Sequence, residues 1–191
     1  MRLFVAIDLP ASAQEQLALL CCGLPGARWV VPEQMHLTLR FIGEVEGGLF
    51  QDILDGLADI RAERFLLQLA GVGFFPPRGK PRIVWVGLQD KNPLLKLHNR
   101  LESRLVGLGL QPEGRRFSPH ITLARLKNTP TSRIVRFLEA HSLFYTSPFP
   151  VDNFHLYSSI LNRKGASHRI EASYPLVENS CPATDSGSGR D

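Results

Sequence analysis

Apolar residues recur along the chain with two alternating periods, one of about two residues and one of about 3.6. Strand-like stretches are RLFVAIDL, HLTLRFI, RFLLQLAGVGFF, PRIVWVGL, HITLARLK, PFPVDNFHLYSSIL and SHRIEASYPL. Stretches with helical spacing lie between them: PASAQEQLALLCCGL, GLFQDILDGLADIRA, NPLLKLHNRLESRLVGLGL and TSRIVRFLEAHSLF. Proline at the start of the first and third of these segments fits an ordinary helix start, and Gly23 and then Gly107 and Gly109 are their expected stops. The pattern therefore predicts a chain that mixes helices with strands joined by short turns.

The order of these elements repeats. Each half reads helix, strand with a His-x-Thr motif, helix, strand, strand, and the two motif histidines, His36 and His120, are separated by about half of the ordered chain. A period of this length is too long for a solenoid and indicates an internal duplication. We expect an α+β fold of two lobes around a pseudo-twofold axis. Its sheets would be two, largely antiparallel and flanked by helices, with a cleft between the lobes.

The domain boundaries follow from the same repeat. We expect a single domain over residues 1–177, composed of repeats at roughly 1–91 and 92–177. The last segment, 178–191, is polar and rich in Gly and Ser, which is typical of a disordered tail.

Composition and charge indicate a globular protein but do not identify its partner. Of the 191 residues, 43% are hydrophobic and 21% charged, a balance typical of globular rather than disordered chains. The net charge of +4 permits an anionic partner such as RNA without requiring one. No apolar run reaches the length of a membrane span, and the N-terminus lacks an apolar signal core. We expect no membrane association and, without an oligomerisation signal, a monomer.

The three cysteines give no support to a disulfide framework or a zinc site. Cys21 and Cys22 are adjacent, and Cys181 lies in the polar tail. A reducing, cytoplasmic location fits this usage best.

The two His-x-Thr motifs are the candidate chemistry. Side chains alternate faces in a strand, so His36 and Thr38 share one face while the leucines beside them point into a core. The second motif places His120 and Thr122 in the same way. One His-x-Thr is commonplace, but two at equivalent positions of a repeat favour a functional site. The remaining histidines have no counterpart in the other half and are expected to be structural or surface residues: His98, His141, His155 and His168.

A pair of imidazoles suits displacement at phosphorus. The ordinary histidine pKa is about 6.5, so one ring can be neutral and the other charged near neutral pH. The neutral ring can take a proton from the nucleophile while the charged ring protonates the leaving oxygen. Threonine hydroxyls can donate hydrogen bonds to the non-bridging oxygens. Such a site requires no metal, no cofactor and no covalent intermediate, and we expect none.

The motifs and their surroundings carry a family resemblance. HLTL and HITL resemble the H-x-T-x motifs of the two-histidine (2H) phosphoesterases, and RLFVAIDLP, RWVVPEQMHLTLRFIGEV, PRIVWVGL and FSPHITLARLK resemble the LigT-like RNA 2′,3′-cyclic phosphodiesterases, or 2′-5′ RNA ligases, over roughly residues 1–176. The resemblance implies hydrolysis of a 2′,3′-cyclic phosphate end of RNA, tRNA fragments being one candidate, to a 2′-phosphomonoester. It also implies that His36 is the proton donor to the 3′ oxygen, His120 the proton acceptor from water, and Thr38 and Thr122 the phosphate ligands. The repeat makes the two histidines nearly symmetric, so the sequence alone does not order their roles.

Four further residues are candidates for substrate contact. Arg125 matches a family arginine near the phosphate, but strict alternation would place it opposite His120, so its role requires a bulge, twist or strand end. Arg40 lies four residues after His36, an even spacing that would place both side chains on the same face of the strand. Phe4 and Trp29 could stack on a base, although aromatic residues are more often part of a core.

Three other functions remain open at this point. The reaction could run backwards as an ATP-independent 2′-5′ RNA ligase, since the sequence has neither a G-x-x-x-x-G-K-[ST] nor a Lys-x-Asp-Gly motif. Water in large excess favours hydrolysis. A non-catalytic module that binds RNA ends would be better served by Arg and Lys than by two histidines. A small-molecule cyclic phosphodiesterase acting on a nucleotide or an ADP-ribose derivative, as some two-histidine relatives do, is the last alternative.

Overall fold

The structure is a computed structural model, and it describes residues 1–162 and 165–178. The helices are α1 (Ala11–Ala18), α2 (Gly47–Ala58), α3 (Asn92–Gly107) and α4 (Thr131–Ala140), and a short 3₁₀ helix spans Pro32–Gln34. The strands are β1 (Arg2–Asp8), β2 (Ala27–Trp29), β3 (His36–Glu44), β4 (Phe65–Leu67), β5 (Leu69–Phe75), β6 (Ile83–Leu88), β7 (Ile121–Leu126), β8 (Phe149–Val151), β9 (Asn153–Asn162) and β10 (Gly165–Pro175).

Two half-sheets meet edge to edge at the centre of the molecule. The strand order is β10-β9-β1-β3-β7-β6-β5, β2 pairs with the outer part of β7, and β4 and β8 form a separate two-stranded sheet. All of these pairings are antiparallel. The halves join through the pairing of Leu37 with Ile121, residues that follow the two motif histidines. The predicted α+β fold with duplicated halves and a pseudo-twofold axis is confirmed.

Within residues 1–162 and 165–178, the helices cover only one face of the large sheet. Leu37 and Ile121 point into this core and are fully buried, together with the apolar faces of all four helices. The buried helical residues are Leu17 of α1, Ile53 and Leu57 of α2, Leu94, Leu97, Leu101 and Leu105 of α3, and Ile134 and Phe137 of α4. Phe4, Ala6 and Tyr157 form a separate cluster on the opposite face. Side chains that alternate with Leu37 and Ile121 along β3 and β7 therefore point to the opposite, helix-free face of the sheet.

A β-bulge interrupts each motif strand at the same place. In β3, Thr38 pairs with Ala6 and Arg40 with Val5, so Leu39 is the extra residue. In β7 the extra residue is Leu123, because Thr122 pairs with Trp85 and Ala124 with Val84. A bulge shifts the alternation by one residue, so the side chains beyond it change face.

The helices and strands lie where the apolar pattern predicts them, with four local differences. Helix α1 ends at Ala18, before the expected stop at Gly23, yet Leu20 and Leu24 are still buried in the core. The predicted strand over RFLLQLAGVGFF is divided into β4 and β5, and the one over PFPVDNFHLYSSIL into β8 and β9; the two parts of each belong to different sheets. Strand β2 was not predicted.

The predicted disordered tail, 178–191, lies outside the described residues except for Glu178. That carboxylate is 3.3 Å from Arg64. Among the described residues, no helix is both long and apolar enough to cross a membrane.

Candidate active site

The two His-x-Thr motifs lie side by side on the helix-free face. Leu37 and Ile121 pair across the centre of the sheet and are buried on the helical side. Continued by one residue in each direction, the same antiparallel register sets His36 opposite Thr122, and Thr38 opposite His120. The predicted catalytic and phosphate-binding pairs are thus brought together by one pairing at the pseudo-twofold axis.

The two imidazoles are held by matching hydrogen bonds. His36 Nδ1 is 2.8 Å from the carbonyl oxygen of Gln34, and His120 Nδ1 is 2.7 Å from the carbonyl oxygen of Ser118. A carbonyl oxygen only accepts, so each Nδ1 is the donor and carries a proton. Each Nε2 is therefore the nitrogen that can take or give a proton, and the bond in turn fixes the ring orientation.

Aromatic and titratable side chains surround His36. Its ring lies 5.0 Å from Phe4, 6.1 Å from Tyr157 and, edge-on, 5.3 Å from His168. Burial is the main reason that the pKa of His36 falls to about 4, with a smaller opposing contribution from the Gln34 carbonyl. Burial also lowers the pKa of His168. His36 is consequently neutral near pH 7 before an anion binds.

A small pocket opens beside His36. Its volume is about 160 Å³, and its lining is Asp8, Glu33, Gln34, Met35, His36, Tyr157, Ser167 and His168. At its edge Asp8 accepts a hydrogen bond from the Tyr157 hydroxyl and lies 3.8 Å from His155 Nε2. The other nitrogen of His155 is 2.8 Å from the Ser173 hydroxyl. This network belongs to β1, β9 and β10 and makes the surroundings of His36 polar and partly acidic.

The neighbours of the His120 ring are aromatic side chains. Phe75 meets the imidazole edge-on at 5.0 Å, and Trp85 lies 6.3 Å away. The indole lies directly over Gly73, where an added Cβ would be 2.3 Å from the ring. Glycine at this position is thus what lets the indole pack against β5 beside the histidine.

The bulge that a phosphate-binding role for Arg125 requires is present. The extra residue Leu123 returns Arg125 to the face of Thr122, where it is exposed and opposite Arg28 of β2 and Ile83 of β6. Phe41 is its counterpart in the first repeat; it is also exposed and lies 6.0 Å from Phe4. The role of Arg125 at the phosphate stays a prediction.

The parity argument for Arg40 is wrong. The bulge at Leu39 turns Arg40 to the helical side, where 8% of its side chain is exposed. Its guanidinium is 2.5 Å from Glu102 and 2.6 Å from the Gln111 carbonyl oxygen, and it also bonds the carbonyl of Phe41. Arg40 therefore anchors the segment that leads to His120 and does not face a substrate on the helix-free side.

Phe4 and Trp29 are not available as stacking platforms. Phe4 is 3% exposed, and its ring is stacked on Tyr157 at 5.0 Å and packed against His36. Trp29 packs against Phe137 of α4 and the core. Both rings have the core role that aromatic residues most often have, and Phe4 in addition supports His36.

Of the histidines expected to be structural, two come to the site. His168 lies against His36, contrary to the expectation, and His155 belongs to the Asp8 network. His98 is buried, stacked on Phe117 at 3.9 Å, as expected for a structural residue, and His141 packs on Phe137. Tyr157, Phe75 and Trp85 were also missed. Period-two spacing of His155 and Tyr157 was the available signal, but it became informative only once β9 was known to pair with β1.

Comparison with known proteins agrees with this geometry. The model of a family described as LigT like Phosphoesterase matches residues 7–85 and again 86–167, so each match contains one His-x-Thr motif. A protein from Archaeoglobus fulgidus named RNA 2′,3′-cyclic phosphodiesterase is 34% identical over 174 residues, which is 88% of this chain and 97% of the relative.

Solved structures show the same architecture. The protein TT0787 of Thermus thermophilus superposes with a TM-score of 0.78 at 28% identity and covers 94% of this chain and 100% of that one. Escherichia coli LigT complexed with 3′-AMP has a TM-score of 0.75 at 30% identity, with coverages of 93% and 98%.

Proposed function

The chain belongs to the LigT-like phosphoesterase family, and we propose that it hydrolyses the 2′,3′-cyclic phosphate at the end of an RNA to a 2′-phosphomonoester. The observation that carries this proposal is the matched pair of histidines. Each is bonded through Nδ1 to the carbonyl two residues earlier, which leaves Nε2 as the nitrogen that can exchange a proton, and each lies beside a threonine on the helix-free face. Several relatives with the name RNA 2′,3′-cyclic phosphodiesterase support the choice of substrate.

The proposed reaction needs one proton taken and one given on opposite sides of the phosphorus. In the family pattern His120 Nε2 takes a proton from the attacking water, and His36 Nε2–H protonates the departing 3′ oxygen. Thr38 and Thr122 donate hydrogen bonds to the non-bridging oxygens, and Arg125 neutralises their charge. These five side chains supply an acid, a base and charge stabilisation without a further group.

The donor role of His36 has a consequence for substrate binding. The pKa of His36 is about 4 in the free protein because the ring is desolvated. A bound phosphodiester places a negative charge beside the ring and raises this pKa again. Proton uptake by His36 should therefore accompany binding of the anion, and only this protonated complex can release the 3′ oxygen with its proton.

The expected substrate and setting follow from the same arguments. Fragments of tRNA with cyclic ends are one natural class of such RNA. The lone adjacent pair Cys21 and Cys22 is unpaired in the described residues, which fits a cytoplasmic location. We expect the protein to act as a monomer, since both histidines and both threonines come from one chain.

An assay on a defined RNA tests this proposal. Purified protein with EDTA and without ATP should convert a short RNA with a 2′,3′-cyclic phosphate into the 2′-phosphate product, resolved from the 3′-phosphate by chromatography. The double variant His36→Ala/His120→Ala, prepared in the same way, controls for contaminating phosphodiesterases. A 3′-phosphate product, or equal turnover by the double variant, would contradict the proposal.

A further inference from the structure

Charge is distributed unequally between the two half-sheets. Residues 65–89 contain β4, β5 and β6, residues 114–130 contain β7, and neither stretch has an Asp or Glu. The basic residues of these stretches are Arg78, Lys80, Arg82, Arg115, Arg116, Arg125 and Lys127. The helix-free face around His36, in contrast, includes the carboxylates of Asp8 and Glu33 in the pocket wall. A polyanion that reaches the site is attracted to the half-sheet of β5, β6 and β7 and repelled by part of the other.

Several of these cations lie close to His120. Arg125 is exposed on the same face as Thr122, and Arg28 is opposite it in the pairing of β2 with β7. Arg78, Lys80 and Arg82 are exposed in the connection between β5 and β6, and the backbone N–H of Arg82 donates to the carbonyl of Phe75. These three cations therefore lie at the end of the hairpin that carries Phe75 and Trp85.

The same region has the aromatic surface that single-stranded nucleic acids use. Phe75 and Trp85 are half-buried on the helix-free face, 5.3 Å apart, and both pack near His120. The indole packs on Gly73, where a side chain would leave no room for the ring. Stacking rings with cations around them bind a strand without reading its sequence.

The pocket beside His36 does not suit a longer strand. Its volume of about 160 Å³ is enough for about five waters, and two carboxylates line it. It can hold a compact group of the terminal nucleoside but not a run of phosphates. The two sides of the site thus differ in size, charge and ring content.

We propose that the RNA strand 5′ of the cyclic phosphate lies across the half-sheet of β5, β6 and β7, over Phe75 and Trp85 and beside Arg78, Lys80 and Arg82. This inference rests on the proposed function, because it assumes that the cyclic phosphate binds between His36 and His120. It goes further by giving the direction of the chain and by making the length of the RNA a determinant of the rate. Neither property follows from the histidine pair alone.

The test compares one substrate that can reach this surface with one that cannot. The short substrate is a nucleoside 2′,3′-cyclic phosphate, and the long one is a ten-nucleotide single strand with the same cyclic end. The triple variant Arg78→Gln/Lys80→Gln/Arg82→Gln should lower the ratio of kcat/KM for the long to the short substrate about tenfold at low salt. Loss of three phosphate contacts should also reduce the slope of log affinity against log salt by about 2 for the long strand.

A control of equal charge separates contact from net charge. Lys96, Arg133 and Arg136 are exposed on α3 and α4, on the opposite side of the sheet. The variant Lys96→Gln/Arg133→Gln/Arg136→Gln should leave the ratio within about twofold of the wild-type value, since distant exposed charges are screened. An equal drop in both triple variants, or no drop in either while both substrates are hydrolysed, would overturn the inference. If the wild-type protein hydrolyses neither substrate, the proposed function itself fails.

Discussion

The two repeats present their histidines alike but surround them differently. Both imidazoles are bonded at Nδ1 to the carbonyl two residues earlier, and both motif strands have a bulge three residues after the histidine. His36, however, is packed among Phe4, Tyr157 and His168, whereas Phe75 and Trp85 are the ring neighbours of His120.

This contrast shows how a symmetric scaffold can support an asymmetric reaction. Displacement at phosphorus needs one acid and one base, which a perfect duplication cannot distinguish. The backbone of each repeat supplies the position and tautomer of its histidine. The neighbours, which belong to the two different half-sheets, then supply the difference in the rings and charges that the substrate meets. Tests of the comparison therefore change one repeat and its counterpart in parallel.

Removal of either histidine should have the largest effect. His36→Ala and His120→Ala should each lower kcat on the cyclic RNA end by about 10²- to 10⁴-fold, because each removes one proton transfer. The two variants should differ in activity on an aryl phosphodiester, because its phenolate leaves without protonation. There His36→Ala should retain most of the wild-type rate if His36 is the acid, while His120→Ala should stay impaired.

The leaving-group experiment also shows how the roles could be reversed. Retention of the aryl activity in His120→Ala instead of His36→Ala would exchange the acid and the base between the repeats. Equal impairment of both variants on both substrates would mean that neither histidine acts only as the acid. The double variant should be little worse than the more impaired single variant, since the two groups act in one step.

Arg125 and its counterpart Phe41 give the next effect. Both are exposed on the helix-free face beyond their bulges, but only Arg125 can neutralise a phosphate. Arg125→Gln should lower kcat/KM by about 10- to 100-fold, the value of one charged hydrogen bond. Phe41→Leu keeps an apolar side chain against Phe4 and should change kcat/KM by less than about threefold. If Arg125→Gln and Phe41→Leu both changed kcat/KM by less than about threefold in steady-state kinetics, Arg125 would lie outside the phosphate site.

The sequence could predict this site to the extent that local rules determine it. Strict alternation from His36 to Thr38 and the repeat around His120 needed no knowledge of strand neighbours. Alternation failed at Arg40, because the bulge at Leu39 depends on the pairing with β1. His168 was missed for a related reason: its strand approaches His36 only because β9 lies between β10 and β1. Bulges and long-range strand order are set by packing of the whole sheet, and a single strand does not contain that information.

The smallest expected effect is on stability, and it tests the desolvation of His36 without any substrate. The pKa of His36 is about 4 in the folded protein, below the ordinary value of about 6.5 that applies to the unfolded chain. As pH falls from 6.5 to 4 the unfolded chain takes up a proton that folded His36 does not, so the free energy of unfolding decreases over this window. His36→Asn, whose amide can still donate to the Gln34 carbonyl, should lose about 2 kcal/mol less than the wild-type protein between pH 6.5 and 4, in urea denaturation at each pH. Parallel curves for the two proteins would show that His36 is well solvated before substrate binds, and the contrast between the repeats would then have to arise with the bound phosphate.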